Sequence, residues 1–254
     1  MSDEAVRYLV DGGAAMLTMD QPHNRNAMTP ALLNGLSGGL EKAHADKGVR
    51  VIVLTNTRPV FCAGADLSGS GDAPAPRTGL PAILAAIQDS PKPVVARIAG
   101  HCVAGGVGLA AACDFSVADE GARFGFTEVR IGVAPAVISV VCLPKLRRGD
   151  ALELFLGGER IGARRAAEVG LITQAVPADR LDAAVDAIVT RLLAGGPQAL
   201  AAAKQLVNDV PGMDRTEAFA WAAGLSASLF ASAEAAEGMA AFREKRPPSW
   251  APPG

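Results

Sequence analysis

Between Gly100 and Asp114 the chain reads GHCVAGGVGLAAACD, a glycine-rich turn that runs from a β-branched stretch, Val94 to Ala99, into a helix with no polar face. The segment from Gly105 to Cys113 is apolar on every side, and such a helix is stable only when buried. The chain must therefore build a core around a strand–turn–helix unit. Half of its 254 residues are hydrophobic and 20% are charged, enough for that core and too apolar for disorder. The length fits one large domain, or one domain with a short appendage, with no need for disulfide or metal staples.

Gly105 and Gly106 leave the first backbone N–H groups of this helix open to close approach, and a buried helix N-terminus favours negative charge. Three readings stand at this point: close helix packing, a nucleotide phosphate site, and an oxyanion hole for a carbonyl that becomes an enolate. Gly106-x-Gly108-x-x-Ala111 fits the dinucleotide fingerprint. Its acidic partner fails, because Asp119 comes too early and Glu128 lies past the end of the next strand. No Lys-Ser/Thr follows the glycines, so a Walker loop fails as well. A second turn, FCAGAD from Phe61 to Asp66, follows the run Val49 to Thr55 and exposes a backbone N–H at Ala65. Two such turns can converge on one oxygen and hold a thioester enolate without a metal.

A formal net charge of −2 gives no basic field for a nucleic acid partner. Four cysteines without CxxC spacing argue against a zinc knuckle or a disulfide framework, and no metal is expected. Apolar runs such as Ile131 to Pro144 contain Pro135 and fall short of the about 20 residues of a membrane helix. The acidic start, Met1-Ser2-Asp3-Glu4, lacks the apolar core of a secretory signal, so the cytoplasm is the expected location.

Strands are expected at 14–19, 49–55, 94–99 and 115–118, each bounded by Gly, Pro, Asn or Asp. Thr29-Pro30 opens a helix through Leu32, Leu33, Leu36 and Leu40 that Gly48 would stop. Further helices are expected at 148–156, 163–168, 181–193, 197–208 and 214–230, the last with Asp214 and Glu217 at capping-box spacing. A final helix, Ser232 to Lys245, places Ala235, Met239 and Phe242 on one face, to be covered by this chain or by a neighbouring subunit. This order predicts an α/β half followed by an α-helical one. The stretch SGSGDAPAPRTG, 68–79, reads as a mobile loop beside a functional site or as a plain surface connection.

The segments FCAGADL, KPVVARIAGHCVAGGVGLAAACDFSVADEGARFGFTEVRIGVAP and EGMAAFREKRPPSW resemble, in the same order from Asn24 to Trp250, the enoyl-CoA hydratase/isomerase (crotonase) family. The resemblance implies an α/β fold, a crotonase-like spiral of βαβ turns with a C-terminal α-helical trimerisation region. It divides the chain into a core, 1–195, and a helical region, 196–254, assembled as a homotrimer or a dimer of trimers. It implies an acyl-CoA partner and no separate cofactor, coenzyme A entering as part of the thioester substrate. The thioester carbonyl would bind the N–H groups of Ala65 and Gly105. Coenzyme A would lie along Asn24 to Met28 and Phe61 to Leu67, contacting Arg25, Asn26, Ala27, Ala63, Ala65, Asp66, Leu67 and Gly105. Arg243, Lys245 and Arg246 are further candidates for its phosphates, or form a solvated helix face.

Two departures stand out. Family hydratases use two glutamates; aligned on Cys113-Asp114, the first position is Gly108 here, and only the second, Glu128, is kept. The lysine that usually follows the GAD turn is replaced by Leu67-Ser68. Glu128, flanked by Phe124, Phe126, Val129 and Ile131, is expected to be partly desolvated, which raises a carboxyl pKa toward a useful acid–base value. The alternative is a surface glutamate in a turn. Asp72 in the loop and His101 beside the glycines are weaker candidates for the missing acid; a structural role suits His101 better, and Cys62, Cys102 and Cys113 read as packing residues. The GVGL and TEVRIGVAPAVIS segments look like a branch that hydrates branched, 3-methylglutaconyl-like acyl-CoA thioesters, with Pro135, Val137 and Ile138 reshaping the acyl pocket. The expected activity is addition or removal of water across C2–C3 through Glu128. The alternatives are Δ3-Δ2 isomerisation by the same residue and a non-catalytic acyl-CoA-binding protein.

Overall fold

The β-branched runs become strands of one six-stranded sheet, and three of them are followed at once by a much shorter strand that joins a second sheet. The computed structural model describes residues 4–67 and 78–251. A hairpin of β1 (Val6–Asp11) and β2 (Ala14–Met19) leads into α1 (Pro30–Ala45). The chain then repeats strand, short strand, helix: β3 (Val51–Asn56), β4 (Val60–Cys62) and α2 (Leu80–Gln88); β5 (Val94–Ile98), β6 (His101–Val103) and α3 (Gly105–Ala112); β7 (Phe115–Asp119), β8 (Arg123–Gly125) and α4 (Ala136–Cys142). It continues through α5 (Arg148–Gly157), β9 (Arg160–Gly162), α6 (Ala163–Glu168), β10 (Gln174–Val176), α7 (Leu181–Ala194), α8 (Pro197–Asp209), α9 (Arg215–Phe230) and α10 (Ala233–Glu244).

The larger sheet orders as β1-β2-β3-β5-β7-β10 and the smaller as β4-β6-β8-β9. From β2 onward the larger sheet is parallel, and β4, β6 and β8 are parallel to one another. Each of the three repeats thus adds one strand to both sheets, and α2 and α3 join parallel neighbours of the larger sheet as the expected βαβ turns, with a short strand inserted before each helix. Strands of three residues are too short to show a hydrophobic period, which hides them in the sequence.

Every residue of β3 is buried, as a strand with helices on both faces requires. Leu181, Val185, Ile188 and Leu192 of α7 cover Val51, Val53, Val95 and Val117 on one face. The opposite face carries Leu17, Ile52, Leu54 and Ile98 into a core with Leu32 and Leu36 of α1, Ile83 of α2 and Leu109 of α3. All residues of α3 are buried, the outcome its apolar circumference dictates. Thr29 caps α1 by accepting from the Leu32 amide at 3.2 Å. The helix stops at Ala45, short of Gly48, because Asp46 turns extended and its carboxylate accepts from the Gly48 amide at 2.8 Å.

Polar bonds tie the last helices to the sheets. Lys204 of α8 donates to Ile87 O at 2.7 Å and to the Asp114 carboxylate at 3.0 Å, and Arg50 donates to the carbonyls of Gly195 and Trp250. Glu234 of α10 accepts from the Gln198 and Ala199 amides at the start of α8, both at 2.9 Å. The predicted stripe on α10 is not covered by this chain: Met239 and Phe242 are 44% and 86% exposed. Among the described residues no helix is long and apolar enough to cross a membrane.

Candidate active site

Adjacent parallel strands end on the same edge of their sheet, and that edge is where α/β folds place ligands. The C-terminal ends of β4, β6 and β8 lead directly into Ala63–Ala65, Ala104–Gly105 and Phe126–Glu128. Three stretches separated by dozens of residues in sequence are thereby delivered side by side. Ala65, Gly105 and Glu128 line one cavity of about 330 Å³, together with Met28, Leu33, Leu80 and the segment Ala134 to Ile138.

The first two turns meet because Gly64 has no side chain. Its φ is +86°, and a Cβ there would lie 2.7 Å from the Ala104 Cβ and 3.3 Å from the Gly105 nitrogen. The Met28 amide donates to Gly64 O at 2.8 Å and the Ala63 amide to Arg25 O at 3.2 Å, fixing this turn to residues 25–28. Ala104, which precedes α3, is held at φ +50°, a conformation that costs an L-residue about 1–3 kcal/mol and persists only where the surroundings impose it. Its own amide is anchored to Gly125 O at 2.9 Å. The first amides of an α-helix have no carbonyl one turn behind them and carry the positive end of the helix dipole. Gly105 therefore presents a donor on the same cavity that Ala65 lines, an arrangement suited to an oxygen that gains negative charge.

Glu128 sits in a short 3-10 turn, Thr127–Ile131, closed by Gly132 at φ +78°, whose amide bonds back to Glu128 O and Val129 O. Phe126 stacks on Phe155 with ring centroids 4.3 Å apart, which fixes the start of this turn against α5. The Glu128 carboxyl is half-buried, and its Oε2 is shielded from solvent with no hydrogen-bond partner among the described residues. Burial pushes its pKa above the ordinary carboxylate value, and its own backbone N–H offsets this only in part. An under-satisfied carboxyl on a mostly apolar cavity is costly as a structural element and well suited to proton transfer.

The other predicted residues divide. Arg25 is exposed at φ +61°. Asn26 is wholly buried; its side chain accepts from the Gln21 amide at 2.7 Å and donates to Val60 O at 2.9 Å, so it supports the turn from inside. Ala27 is buried, Ala63 and Asp66 are half-buried, and Leu67 is 72% exposed. His101 accepts from the Arg123 amide at 3.2 Å and does not line the cavity. The four cysteines are buried, with the thiols of Cys62, Cys113 and Cys142 pushed up to about 12 by burial, as packing residues would be. Asp114 accepts from the Val94 amide at 2.7 Å in addition to pairing with Lys204. Arg243, Lys245 and Arg246 are all exposed, and Arg246 is held by Glu237 and Glu244, both at 2.7 Å. Asp72 and residues 68–77 of the predicted loop lie outside the described residues.

Two features of the site escaped the sequence reading. Leu33 of α1 and Leu80 at the start of α2 bring apolar side chains to the cavity, and no local pattern marks either as a site residue. The second is the space above Gly108: a Cβ there would lie 2.3 Å from Ile138 Cγ2, so an apolar side chain of α4 fills the place from which a first glutamate would extend.

The sequence profile of the enoyl-CoA hydratase/isomerase family matches residues 10–253. The chain is similar to the 2,3-dehydroadipyl-CoA hydratase of Escherichia coli K12, at 32% identity over 92% of this chain and 94% of that protein. Among solved structures it is similar to an enoyl-CoA hydratase from Mycobacterium avium, at 44% identity and TM-score 0.74 over 98% of this chain and 100% of the other. The enoyl-CoA hydratase of Mycobacterium smegmatis aligns at 30% identity and TM-score 0.88 over 97% and 98% of the two chains. This protein belongs to the enoyl-CoA hydratase/isomerase, or crotonase, family.

Proposed function

We propose that the protein adds or removes water across C2–C3 of an enoyl-CoA thioester, with Ala65 and Gly105 holding the thioester oxygen and Glu128 as the acid–base group. The observation that carries this reading is that Glu128, whose Oε2 has no hydrogen-bond partner among the described residues, lines the same cavity as Ala65 and Gly105. As hydroxide forms at C3, the ionised carboxylate accepts the proton of the attacking water. The enolate then takes a proton at C2 from the same carboxyl, so Glu128 ends as it began and the net reaction consumes one water. The amides stabilise the charge that develops on the thioester oxygen. The hydratase names of the relatives support this direction.

A second reading is favoured by Ile138. With that side chain over Gly108, the cavity lacks a second carboxylate at that position to hold water, and Glu128 would move a proton between C2 and C4 of an allylic thioester. Turnover of linear, branched, 3-methylglutaconyl-like and 3-unsaturated thioesters in oxygen-18 water separates the two. Heavy oxygen in a 3-hydroxyacyl product is the expected result; a shifted double bond with no added oxygen would establish the isomerase, and tight binding without turnover of any thioester would establish an acyl-CoA-binding protein.

We further propose that α9 and α10 join copies of the chain in a homotrimer or a dimer of trimers. Phe219 and Phe230, 68% and 71% exposed, join Met239 and Phe242 in presenting apolar surface that one chain leaves uncovered. Light scattering is expected to give three or six times the 25.9 kDa chain mass, and a monomer mass contradicts the proposal.

A further inference from the structure

Gly108 lies three residues beyond Gly105 on α3, about 4.5 Å further along the helix axis. That is the reach of roughly three carbon–carbon bonds of about 1.5 Å each. With the thioester carbonyl at Gly105 and the acyl group extended along α3, the proposed binding mode, the wall above Gly108 stands beside C3 and C4. Ile138 makes that wall. It lines the cavity, is 3% exposed, and would stand 2.3 Å (Cγ2) and 2.9 Å (Cβ) from a Cβ on residue 108, so it rests on bare glycine backbone. A β-branched side chain in a helix has essentially one favoured χ1 rotamer, so this wall does not yield by rotation.

We propose that Ile138, seated on Gly108, is the specificity-determining residue of the acyl cavity, admitting acyl groups that are unbranched at C3 and disfavouring those with a substituent there. This inference rests on the proposed site at Ala65, Gly105 and Glu128. Shortening Ile138 opens space beside C3, whereas a side chain at 108 drives the wall inward. In an apolar pocket one carbon's worth of space is worth about 10–200-fold in discrimination.

The test is kcat/KM for a matched pair, an unbranched 2-enoyl-CoA and its 3-methyl counterpart, with wild type, Ile138→Val, Ile138→Ala and Gly108→Ala. Wild type is expected to prefer the unbranched thioester. Ile138→Ala raises the branched-to-unbranched ratio by about tenfold or more. Ile138→Val, the variant least able to disturb folding, raises it by less. Gly108→Ala lowers it, and adding Ile138→Ala, which removes the overlapping Cγ2, restores it in part. A role confined to packing would lower both rates together and leave the ratio unchanged. An unchanged ratio in both Ile138 variants, or a wild type that already prefers the branched thioester, overturns the proposal. Glu128→Gln is run alongside: wild-type rates in that variant sink the underlying site reading, whereas a dead Glu128→Gln with unmoved ratios sinks only the role of Ile138.

Discussion

Glu128→Gln is expected to lower turnover by about 10²–10⁴-fold, the range a single general acid–base group supplies, while acyl-CoA affinity changes by no more than a few-fold. The amide side chain keeps the shape and polarity of the carboxyl in its half-buried turn but can neither accept the water proton nor return one to C2. Binding survives because Ala65, Gly105 and the apolar walls are untouched. The pH dependence has a definite sign. Since burial raises the Glu128 pKa, the acid limb of kcat/KM in wild type is shifted upward from the position of an ordinary glutamate and is absent from the residual activity of Glu128→Gln. Stability runs the other way. A carboxyl whose folded pKa is raised contributes stability that is complete below its unfolded pKa and lost as pH rises through the folded one. Glu128→Gln is therefore expected to melt above wild type at pH 7, with the gap closing on acidification below the unfolded pKa. Equal turnover in the two proteins, or a variant that melts lower at pH 7, contradicts this account.

Gly64→Ala is expected to have the next largest effect, about 10²–10³-fold in kcat, the cost of misplacing one oxyanion donor. A side chain at φ +86° is strained by about 1–3 kcal/mol, and its Cβ would fall 2.7 Å from the Ala104 Cβ, so the FCAGAD turn must back away from α3. The Ala65 and Gly105 amides then no longer meet on one oxygen. Adding Ala104→Gly removes the overlap but not the φ penalty, so the double variant is expected to recover part of the lost kcat. The comparison separates misplacement from unfolding, which circular dichroism of the single variant monitors. A Gly64→Ala protein within tenfold of wild-type kcat would mean that convergence of the two turns is not what the site depends on.

The sequence revealed elements wherever a local signal sufficed. Thr29-Pro30 marked the start of α1, the β2 bounds were read as they stand, and Asp214 caps α9 through the Thr216 amide at 2.8 Å. The strands that position the site were not legible. β4, β6 and β8 have three residues each, and their order comes from pairing between segments far apart in the chain. The helix α4 was also missed, because AVISVVC is rich in β-branched residues of poor helix propensity and becomes helical where it packs over α3. Among the proposed site residues, the glycine turns pointed to Gly105 and Ala65, whereas Glu128 came from the family resemblance and its apolar neighbours predicted only its partial burial. The contact of Ile138 with Gly108 could not be read, since one partner has no side chain and the other lies thirty positions away.

In the proposed mechanism Glu128 moves a proton at C2 of a thioester whose oxygen rests on Ala65 and Gly105. Deuterium exchange at C2 of a 3-hydroxyacyl-CoA in heavy water, followed by NMR for wild type and Glu128→Gln, tests it most directly. The account predicts exchange in wild type that falls at least about 10²-fold in the variant. Exchange at the wild-type rate in Glu128→Gln would contradict it.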